Sequence, residues 1–367
     1  MEQKVQEQLQ RFSTSPAKPV GVKDFQFLKV VGIGGYGKVY QVREKSGDHV
    51  YALKIVRKTE RPIDAKHLQD EIRVLKTVHS PFLCRLHTCF ETEEKVYLVM
   101  EFLQGGELYT LLNKLGKMSE IAGKFYIAGL VLALEHLHDC HVVYRDLKPV
   151  NVMLDGKGQV RLTDFGLSKF NFPKGAQTRT FCGTPEYMAP EVIKRKPYDH
   201  SVDVYSLGCV IYDMLTGGPP FQGKTEKETT RMALKDPLLL PSHLSIECQT
   251  ILISLIKRDP QKRMGLEELK TTAFFRGTDW QKMKEQGYLP PYIPSVLNDE
   301  DVSNFEPCFT DMPAEESPVK KPFEKVKKTI TENVFAGFDS VAQSTSKLGK
   351  ASKRLAFKNL TNEAGDQ

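Results

Sequence analysis

The stretch at residues 144–151 reads Tyr-Arg-Asp-Leu-Lys-Pro-Val-Asn and places three groups that can do chemistry on one short loop. The carboxylate of Asp146 can orient an attacking hydroxyl and accept its proton, and Lys148 can neutralise charge on a transferring phosphoryl group. Asn151 can hold a magnesium ion through its amide oxygen. Asp164 follows at a distance suited to a metal that bridges two phosphates, because magnesium takes only one or two protein carboxylates.

The loop is followed by Asp-Phe-Gly at 164–166 and by Ala-Pro-Glu at 189–191, and this set resembles the motifs of a eukaryotic protein kinase. A lone tripeptide arises by chance, whereas motifs in this order and spacing are specific. The resemblance implies an α+β, bilobal protein kinase fold, with a small β-rich N-lobe that carries one regulatory helix and a larger α-helical C-lobe. The alternative interpretation is that the charged residues of these motifs are ordinary solvated residues of surface loops.

The chain has 367 residues, of which 40% are hydrophobic, so it can bury a large core in a body with two lobes and tails. Its seven cysteines are odd in number, scattered and without a Cys-x-x-Cys pair, which argues against a disulfide framework and a zinc site. The beginning of the chain is polar, Glu2 stands where myristoylation needs glycine, and no apolar run approaches a membrane span. We therefore expect a soluble protein of the cytoplasm, with the nucleus as a second compartment, and no transmembrane segment.

The net charge of +6 is uneven, because much of the basic excess follows residue 317. Such a tail can contact nucleic acid, acidic lipid or nuclear import receptors, but a solvated tail without a nucleic-acid partner is the favoured interpretation. The expected organisation is a flexible extension at 1–23, an N-lobe at 24–102, a C-lobe at 103–275, a C-terminal regulatory tail at 276–342 and a disordered basic tail at 343–367.

A glycine-rich segment at 32–39 reads Gly-Ile-Gly-Gly-Tyr-Gly-Lys-Val and continues a β-like pattern that begins at Asp24. Glycine lets the backbone approach phosphate oxygens and donate N–H bonds to them, and Val39 would lie against a purine. A dinucleotide-binding fold uses the same glycines, but there the loop opens a helix. Residues 38–42 alternate as the second strand of a hairpin does, which favours the kinase loop.

A helix is predicted over residues 64–78, because three apolar side chains recur at helical spacing: Leu68, Ile72 and Leu75. Glu71 falls on the same buried stripe and needs a cation, since an unpaired buried charge is strongly destabilising. Lys54, at the centre of the strand predicted at 50–56, is the expected partner. The pair can form only when the helix swings inward, which would make this helix a switch.

The second half of the body is predicted to be helical. Ser119 is a suitable N-cap for a helix that continues to Leu137. Residues 203–215 are apolar on nearly every face, so we expect a buried helix whose leading Asp203 caps and braces the loop at 144–151. Residues 289–294 are too rich in proline for a helix.

The kinase resemblance assigns the remaining site positions. It implies a catalytic set of Asp146, Lys148, Asn151, Lys54, Glu71 and Thr184, with Asn151 and Asp164 as ligands of Mg²⁺. In the hinge, the main chain of Glu101 and Leu103 would bond the adenine of ATP, and Met100 would be the gatekeeper. The implied nucleotide-binding positions are Val31, Gly32, Gly34, Gly37, Val39, Ala52, Lys54, Met100, Glu101, Leu103, Met153, Thr163 and Phe305.

Three further segments are similar to the AGC group of kinases: Thr-Phe-Cys-Gly-Thr-Pro-Glu at 180–186, Asn-Phe-Glu-Pro-Cys-Phe-Thr at 304–310 and Phe-Ala-Gly-Phe at 335–338. Within that group, Tyr-Asp-Met-Leu-Thr-Gly at 212–217 and Ser-Pro at 317–318 resemble the ribosomal S-six kinase branch. The resemblance implies a C-terminal tail that wraps the N-lobe and brings Phe305 to the adenine pocket. It also implies that Arg263 pairs with Glu191.

The resemblance also implies how activity is regulated. Thr180 would be phosphorylated by an upstream phosphoinositide-dependent kinase, and a phosphate of roughly −1.5 to −2 charges can order a loop against basic side chains. The side chains expected around it are Arg145, Lys169 and His67. Ser317 is a second expected phosphosite.

The hydrophobic motif Phe335 and Phe338 would dock beside the switch helix. Asp339 stands where related tails carry a phosphorylatable serine or threonine, so it would supply a permanent negative charge.

Substrate preference is implied by the same resemblance. Lys148 favours Ser or Thr as the acceptor, and Glu107 would meet an arginine before the acceptor. The chain departs from the family pattern at two positions, because Val150 and Asp213 stand in place of glutamates. The acidic surface that selects further arginines is therefore reduced. We expect a monomeric, ATP-dependent serine/threonine kinase for protein substrates with basic residues before the acceptor.

Two other functions compete with this one. A scaffold with the kinase fold but no turnover would lack part of the catalytic set, whereas this chain retains all of it. A role centred on the basic tail as a nucleic-acid or membrane module would show a steep loss of binding with added salt.

Overall fold

The structure, a computed structural model, describes residues 20–34, 37–58 and 61–316. Four expected site residues, Ser317, Phe335, Phe338 and Asp339, lie outside this part of the chain, as do most of the N-terminal extension and the basic tail.

The first part of the body is a five-stranded antiparallel sheet with strand order β1-β2-β3-β5-β4. It forms from short β-branched and aromatic runs that are separated by turns, as the sequence pattern predicts. A single turn of 3₁₀ helix, Val22–Asp24, precedes it. The strands are β1 Phe25–Gly34, β2 Gly37–Glu44, β3 Val50–Arg57, β4 Leu86–Glu91 and β5 Lys95–Glu101.

The helix predicted at 64–78 is confirmed as α1, Pro62–Thr77, between β3 and β4. Its stripe faces the core, where Ile72 and Leu75 are each 3% exposed. Glu71 lies on the same face and is equally buried. The helix therefore delivers one carboxylate to the interior of the small lobe.

The second part of the body is mainly helical, and a small antiparallel sheet, β6-β7-β8, joins it to the first. The main-chain N–H of Cys84 donates to the carbonyl of Leu162 at 2.9 Å, and the N–H of Leu162 donates to the carbonyl of Phe82 at 2.8 Å. The strands are β6 Gly106–Glu107, β7 Val152–Leu154 and β8 Val160–Leu162. The helices are α2 Leu108–Leu115, α3 Glu120–Asp139, α4 Pro190–Ile193, α5 Ser201–Thr216, α6 Glu226–Lys235, α7 Ile246–Leu255, α8 Leu266–Lys270, α9 Trp280–Lys284 and α10 Pro307–Thr310.

The Ser119 cap is confirmed, since its hydroxyl accepts the N–H of Ala122 at 3.3 Å where α3 begins. Helix α5 is buried at every position from 202 to 215, which also agrees with the prediction. The helix begins at Ser201 with His200 at the N-cap, so Asp203 lies inside the first turn and its carboxylate is free to serve the neighbouring loop.

Two apolar clusters hold the molecule together. The larger one fills the helical part and reaches α1, and the smaller one lies on the outer face of the five-stranded sheet. Phe309 and Met312, from the C-terminal strap, which we define as residues 298–316, pack against the smaller cluster. The proline-rich segment at 289–294 contains no helix, as predicted, whereas α9 was not predicted.

All seven cysteines are among the described residues, and each is a free thiol. No helix in the described part of the chain is long and apolar enough to cross a membrane.

Candidate active site

The loop at 144–151 is held by one buried carboxylate from α5. Asp203 accepts the main-chain N–H of Tyr144 at 2.9 Å and that of Arg145 at 2.7 Å, and His138 Nε2 lies 2.8 Å from the same carboxylate. Arg145 has φ 71°, a left-handed conformation that costs energy in a non-glycine residue. Asp203 offsets this cost, because a carboxylate that accepts two main-chain N–H groups fixes the turn.

Asp146 is the centre of a compact hydrogen-bonded group. Its Oδ1 accepts the hydroxyl of Thr184 at 2.9 Å, and its Oδ2 lies 2.9 Å from Lys148 Nζ and 3.0 Å from Asn151 Nδ2. Lys148 Nζ also donates to the Thr184 hydroxyl at 2.8 Å. The carboxylate is thus fixed by three donors yet remains an acceptor, which suits a group that must orient a substrate hydroxyl.

A second group links the two lobes through Lys54. Its Nζ lies 2.7 Å from Glu71 Oε1 and 2.9 Å from Asp164 Oδ1. Burial alone would lower the pKa of Lys54, but the carboxylates of Asp164 and Glu71 outweigh it and hold this pKa above its ordinary value. The expected Lys54–Glu71 contact is present, and α1 is therefore in its inward position.

Asn151 and Asp164 suit a magnesium ion. Asn151 Nδ2 donates to the Asp146 carbonyl at 2.8 Å, which leaves the amide oxygen as the ligand atom. Lys54, above all other causes, lowers the pKa of Asp164, so this carboxylate stays ionised. The Asp164 side chain is 41% exposed, and hard oxygen donors of this kind are those that Mg²⁺ prefers. The main-chain N–H of Thr163 donates to the Asn151 carbonyl at 2.9 Å and keeps the two candidate ligands in register.

The implied nucleotide-binding residues of the small lobe lie on four adjacent strands, β1, β2, β3 and β5. Val39 is opposite both Gly32 on β1 and Lys54 on β3, and Ala52 is opposite Met100 on β5. A Cβ at Gly34 would meet no atom of the described residues within 4 Å. Val31 is buried in β1, and Gly37 opens β2, where a Cβ would collide with the carbonyl of Ile55.

The other implied nucleotide-binding residues surround the hinge. Glu101 ends β5, and Leu103 is 5% exposed just beyond it. Phe305, from the C-terminal strap, stacks on Phe102 with ring centroids 5.4 Å apart. Met153 lies on β7 opposite Glu107. The strap thus reaches the hinge, as the AGC resemblance implies.

The side chains expected around phosphorylated Thr180 form an electropositive cluster. Arg145 is 8% exposed, and its Nε donates to the carbonyl of Leu167 at 2.7 Å. Burial and the Arg145 charge lower the pKa of both Lys169 and His67. The hydroxyl of Thr180 lies 3.3 Å from that of Thr178.

The two carboxylates considered for substrate arginine differ in their surroundings. Burial, followed by the charge of Glu306, raises the pKa of Glu107 to about 7. Asp213 is 8% exposed and accepts the hydroxyl of Tyr187 at 2.6 Å, so it is a structural acceptor. Val150, at the other altered position, is half-buried on the loop at 144–151.

Three contacts were not predicted. They are the His138–Asp203 pair, the Lys54–Asp164 pair and the bond from Asn304 Nδ2 to the Gln104 carbonyl at 3.0 Å. The first and last gave no signal in the sequence, because their partners are 65 and 200 residues apart. The second could have been expected from the resemblance, which implies that Lys54 and the magnesium ligand Asp164 both act at the phosphates of ATP.

Comparison with known proteins identifies two domains. The protein kinase domain matches residues 25–275, and the protein kinase C terminal domain matches residues 296–339. The expected Arg263–Glu191 pair, with Nη1–Oε1 at 2.8 Å, lies within the first.

Two similar proteins have longer chains than this one. The ribosomal protein S6 kinase beta of Caenorhabditis elegans is 42% identical over 358 residues, which is 94% of this chain and 64% of the relative. The ribosomal protein S6 kinase alpha-2 of Mus musculus is 42% identical over 329 residues, 87% of this chain and 44% of the relative. The chain thus spans less than two thirds of the length of these relatives. It belongs to the protein kinase family, whose members use ATP and Mg²⁺, and its second domain places it in the AGC group, with similarity to the ribosomal S6 kinases.

Proposed function

We propose that the chain is a serine/threonine protein kinase that transfers the γ-phosphate of ATP to protein substrates with basic residues before the acceptor. The observation that carries this proposal is the Asp146 carboxylate, held at once by Thr184, Lys148 and Asn151. A carboxylate fixed in this way can orient a substrate hydroxyl and take its proton.

The remaining residues supply charge where it develops. Lys148 is 2.9 Å from Asp146 and would neutralise the phosphoryl group as it transfers. Lys54, kept cationic by Glu71 and Asp164, would hold the α and β phosphates. ATP would supply the phosphoryl group, and Mg²⁺ would offset its negative charge. Asn151 and Asp164 are the oxygen donors that would hold the ion.

We further propose that phosphorylation of Thr180 by an upstream phosphoinositide-dependent kinase activates the enzyme. Arg145 supports this, because its charge lowers the pKa of Lys169 and His67. Its buried guanidinium also donates to the carbonyl of Leu167 in the activation segment, which we define as residues 164–191. A phosphate there would form charge-assisted hydrogen bonds and tie the segment to α1 and to the catalytic loop.

The experiment that tests the whole proposal is a kinase assay on an oriented peptide library with magnesium-ATP, before and after phosphorylation of Thr180. We expect transfer to Ser or Thr and an increase in rate on phosphorylation. A protein that binds ATP but transfers no phosphate in either state contradicts the proposal and supports the scaffold alternative.

The first prediction concerns Glu107. We expect the library to select arginine mainly three residues before the acceptor, with weaker selection one residue nearer, because Asp213 is occupied by Tyr187. With a pKa of about 7, Glu107 loses its charge as the pH falls through that value, so KM for an arginine peptide should rise by up to about tenfold per unit of pH below it.

Glu107→Gln is the variant that tests this prediction. It should raise KM for the arginine peptide and flatten its pH dependence, but leave kcat for a peptide without that arginine unchanged. The fold should tolerate it, because folding disfavours ionisation of Glu107 and the amide carries no charge. Strong selection for arginine at the nearer position would contradict our interpretation of Asp213 and Val150.

The second prediction concerns the hydrophobic motif. Docking of Phe335 and Phe338 beside α1 would bury both rings. Burial of each ring would stabilise the docked state by about 1.5–3 kcal/mol, enough to hold α1 with Glu71 near Lys54. In protein already phosphorylated on Thr180, we expect Phe338→Ala to lower both activity and melting temperature, and Asp339→Ala to lower them less. If Phe338→Ala changes neither activity nor melting temperature, docking is excluded. If only Asp339→Ala changes neither, docking of the phenylalanines stands and the contribution of the permanent charge is excluded.

A further inference from the structure

The C-terminal strap crosses the small lobe from the hinge to the far end of the sheet. At the hinge, Asn304 Nδ2 donates to the Gln104 carbonyl at 3.0 Å, and the main chain of Asn304 packs so closely on Gly106 that a Cβ there would collide with it. The next residue, Phe305, stacks on Phe102. The strap then turns through α10, which packs on β1.

Beyond α10 the strap follows the outer face of the sheet. The Tyr40 hydroxyl donates to the carbonyl of Glu315 at 3.1 Å, and the Lys29 ammonium donates to that of Thr310 at 3.3 Å. These contacts reach main-chain carbonyls, so they do not depend on which side chains the strap carries at these positions.

Glu316, the last described residue of the strap, contacts the sheet through its side chain. The Glu316 carboxylate pairs with the ammonium of Lys95 and accepts the hydroxyl of Tyr97 at 2.7 Å. Lys95 is 5% exposed and Tyr97 is 2% exposed, and Tyr97 stacks on Phe90 with centroids 4.8 Å apart. A carboxylate with two charge-assisted bonds at a buried end of β5 is a fixed anchor.

The other ion pair between the strap and the sheet that we find in the described residues joins Arg43 to Glu300. Its side chains are 38% and 37% exposed, and pairs of such exposure contribute little. The contact of Glu316 is different, because Lys95 and Tyr97 are buried and solvent screens their attraction to its carboxylate less.

We propose that Glu316, with Lys95 and Tyr97, is a positioning group for the nucleotide site: it fixes the end of the strap and thereby keeps Phe305 against the hinge. The proposal rests on the proposed function of that site as an ATP site. Glu316 touches neither nucleotide nor substrate. Its effect reaches the site along the strap, whose two ends are tied while α10 packs between them.

The test measures binding of magnesium-ATP by calorimetry and steady-state kinetics for Glu316→Gln and Tyr97→Phe. Loss of one charge-assisted contact should weaken ATP binding and raise KM for ATP by about tenfold, with kcat at saturating ATP nearly unchanged. Glu315→Gln is the matched control, because Glu315 is exposed and contacts Tyr40 only through its carbonyl. It should change KM by less than about twofold.

A second experiment, in a variant that lacks the Phe305 ring, distinguishes the positioning of Phe305 from general destabilisation. In Phe305→Ala, where the ring that the strap places at the hinge is absent, Glu316→Gln should have no further effect on ATP binding. If Glu316→Gln and Tyr97→Phe bind ATP as the wild type does, or if Glu316→Gln weakens binding equally in the Phe305→Ala background, the proposal is overturned. If the wild-type protein itself binds no ATP, the proposed function fails instead, so the two failures are distinguishable.

Discussion

Asp146→Asn is expected to lower kcat for phosphoryl transfer by at least about 10²–10⁴-fold while the protein keeps a cooperative unfolding transition. Asparagine has the same shape as aspartate, and its oxygen can still accept the Thr184 hydroxyl that lies 2.9 Å from Asp146. It cannot accept the proton of the substrate hydroxyl. The loss therefore falls on the chemical step and not on packing.

Lys54→Met should reduce activity for a different reason. Methionine retains the apolar stem but removes the charge that Glu71 and Asp164 share at 2.7 and 2.9 Å. The phosphates of ATP then lose a cation, and α1 loses the contact that holds it inward. We expect the Lys54 variant to weaken ATP binding, whereas the Asp146 variant should bind ATP normally.

The control for Asp146 is Asp139→Asn, because Asp139 is 65% exposed and its nearest cation, Lys174, is 3.8 Å away. This variant should show wild-type kcat. Full activity in Asp146→Asn would contradict the proposed mechanism, and equal loss in both variants would point to a general effect of the substitution.

Much of the fold was predictable because its elements are specified locally. Apolar spacing marked α1, a run that is apolar on nearly every face marked α5, alternation marked β2, and a serine marked the start of α3. Helix α9 was missed because it is only five residues long, although Asp279, whose carboxylate accepts the N–H of Lys282 at 3.0 Å, was an available cap signal. Its neighbours in sequence gave no apolar period to support it.

The site was less predictable than the fold, because its support comes from distant parts of the chain. Asp146 and Lys54 stand in recognisable motifs, and the expected contact of Asp203 with the loop at 144–151 is present, across 58 and 59 residues of sequence. Glu316 and Lys95 are 221 residues apart. Local periodicity says which face of an element is buried, but it does not say which distant side chain meets that face.

The largest loss of stability is expected for Arg263→Met. The guanidinium binds Glu191 through two parallel contacts, 2.8 Å and 3.1 Å, and both side chains are almost fully buried, at 1% and 4% exposure. It also donates to the carbonyl of Ser201 at 2.7 Å, where α5 begins. Removing it leaves the Glu191 charge buried and unpaired, which should lower the free energy of unfolding by about 3–5 kcal/mol.

A double-mutant cycle separates the pair from its surroundings. Glu191→Leu combined with Arg263→Met removes both charges and leaves apolar groups of similar size, so the double variant should be more stable than Arg263→Met alone. The measurement is the denaturant midpoint at constant slope. Arg231→Met is the matched control, because Arg231 pairs with Asp236 at 2.9 Å but its side chain is 51% exposed.

The control should lose less than about 1 kcal/mol, since solvent screens its charge. The same contrast predicts where activity is lost: Glu191 ends the activation segment in α4, and Arg263 ties that end to α5, whose Asp203 holds the catalytic loop. Arg263→Met should thus lower kcat even at temperatures where the protein remains folded, and the double variant should recover stability more completely than activity. Two single variants whose losses simply add in the double variant would show that the pair does not act as a unit, and this account of the link between α4 and α5 would have to be abandoned.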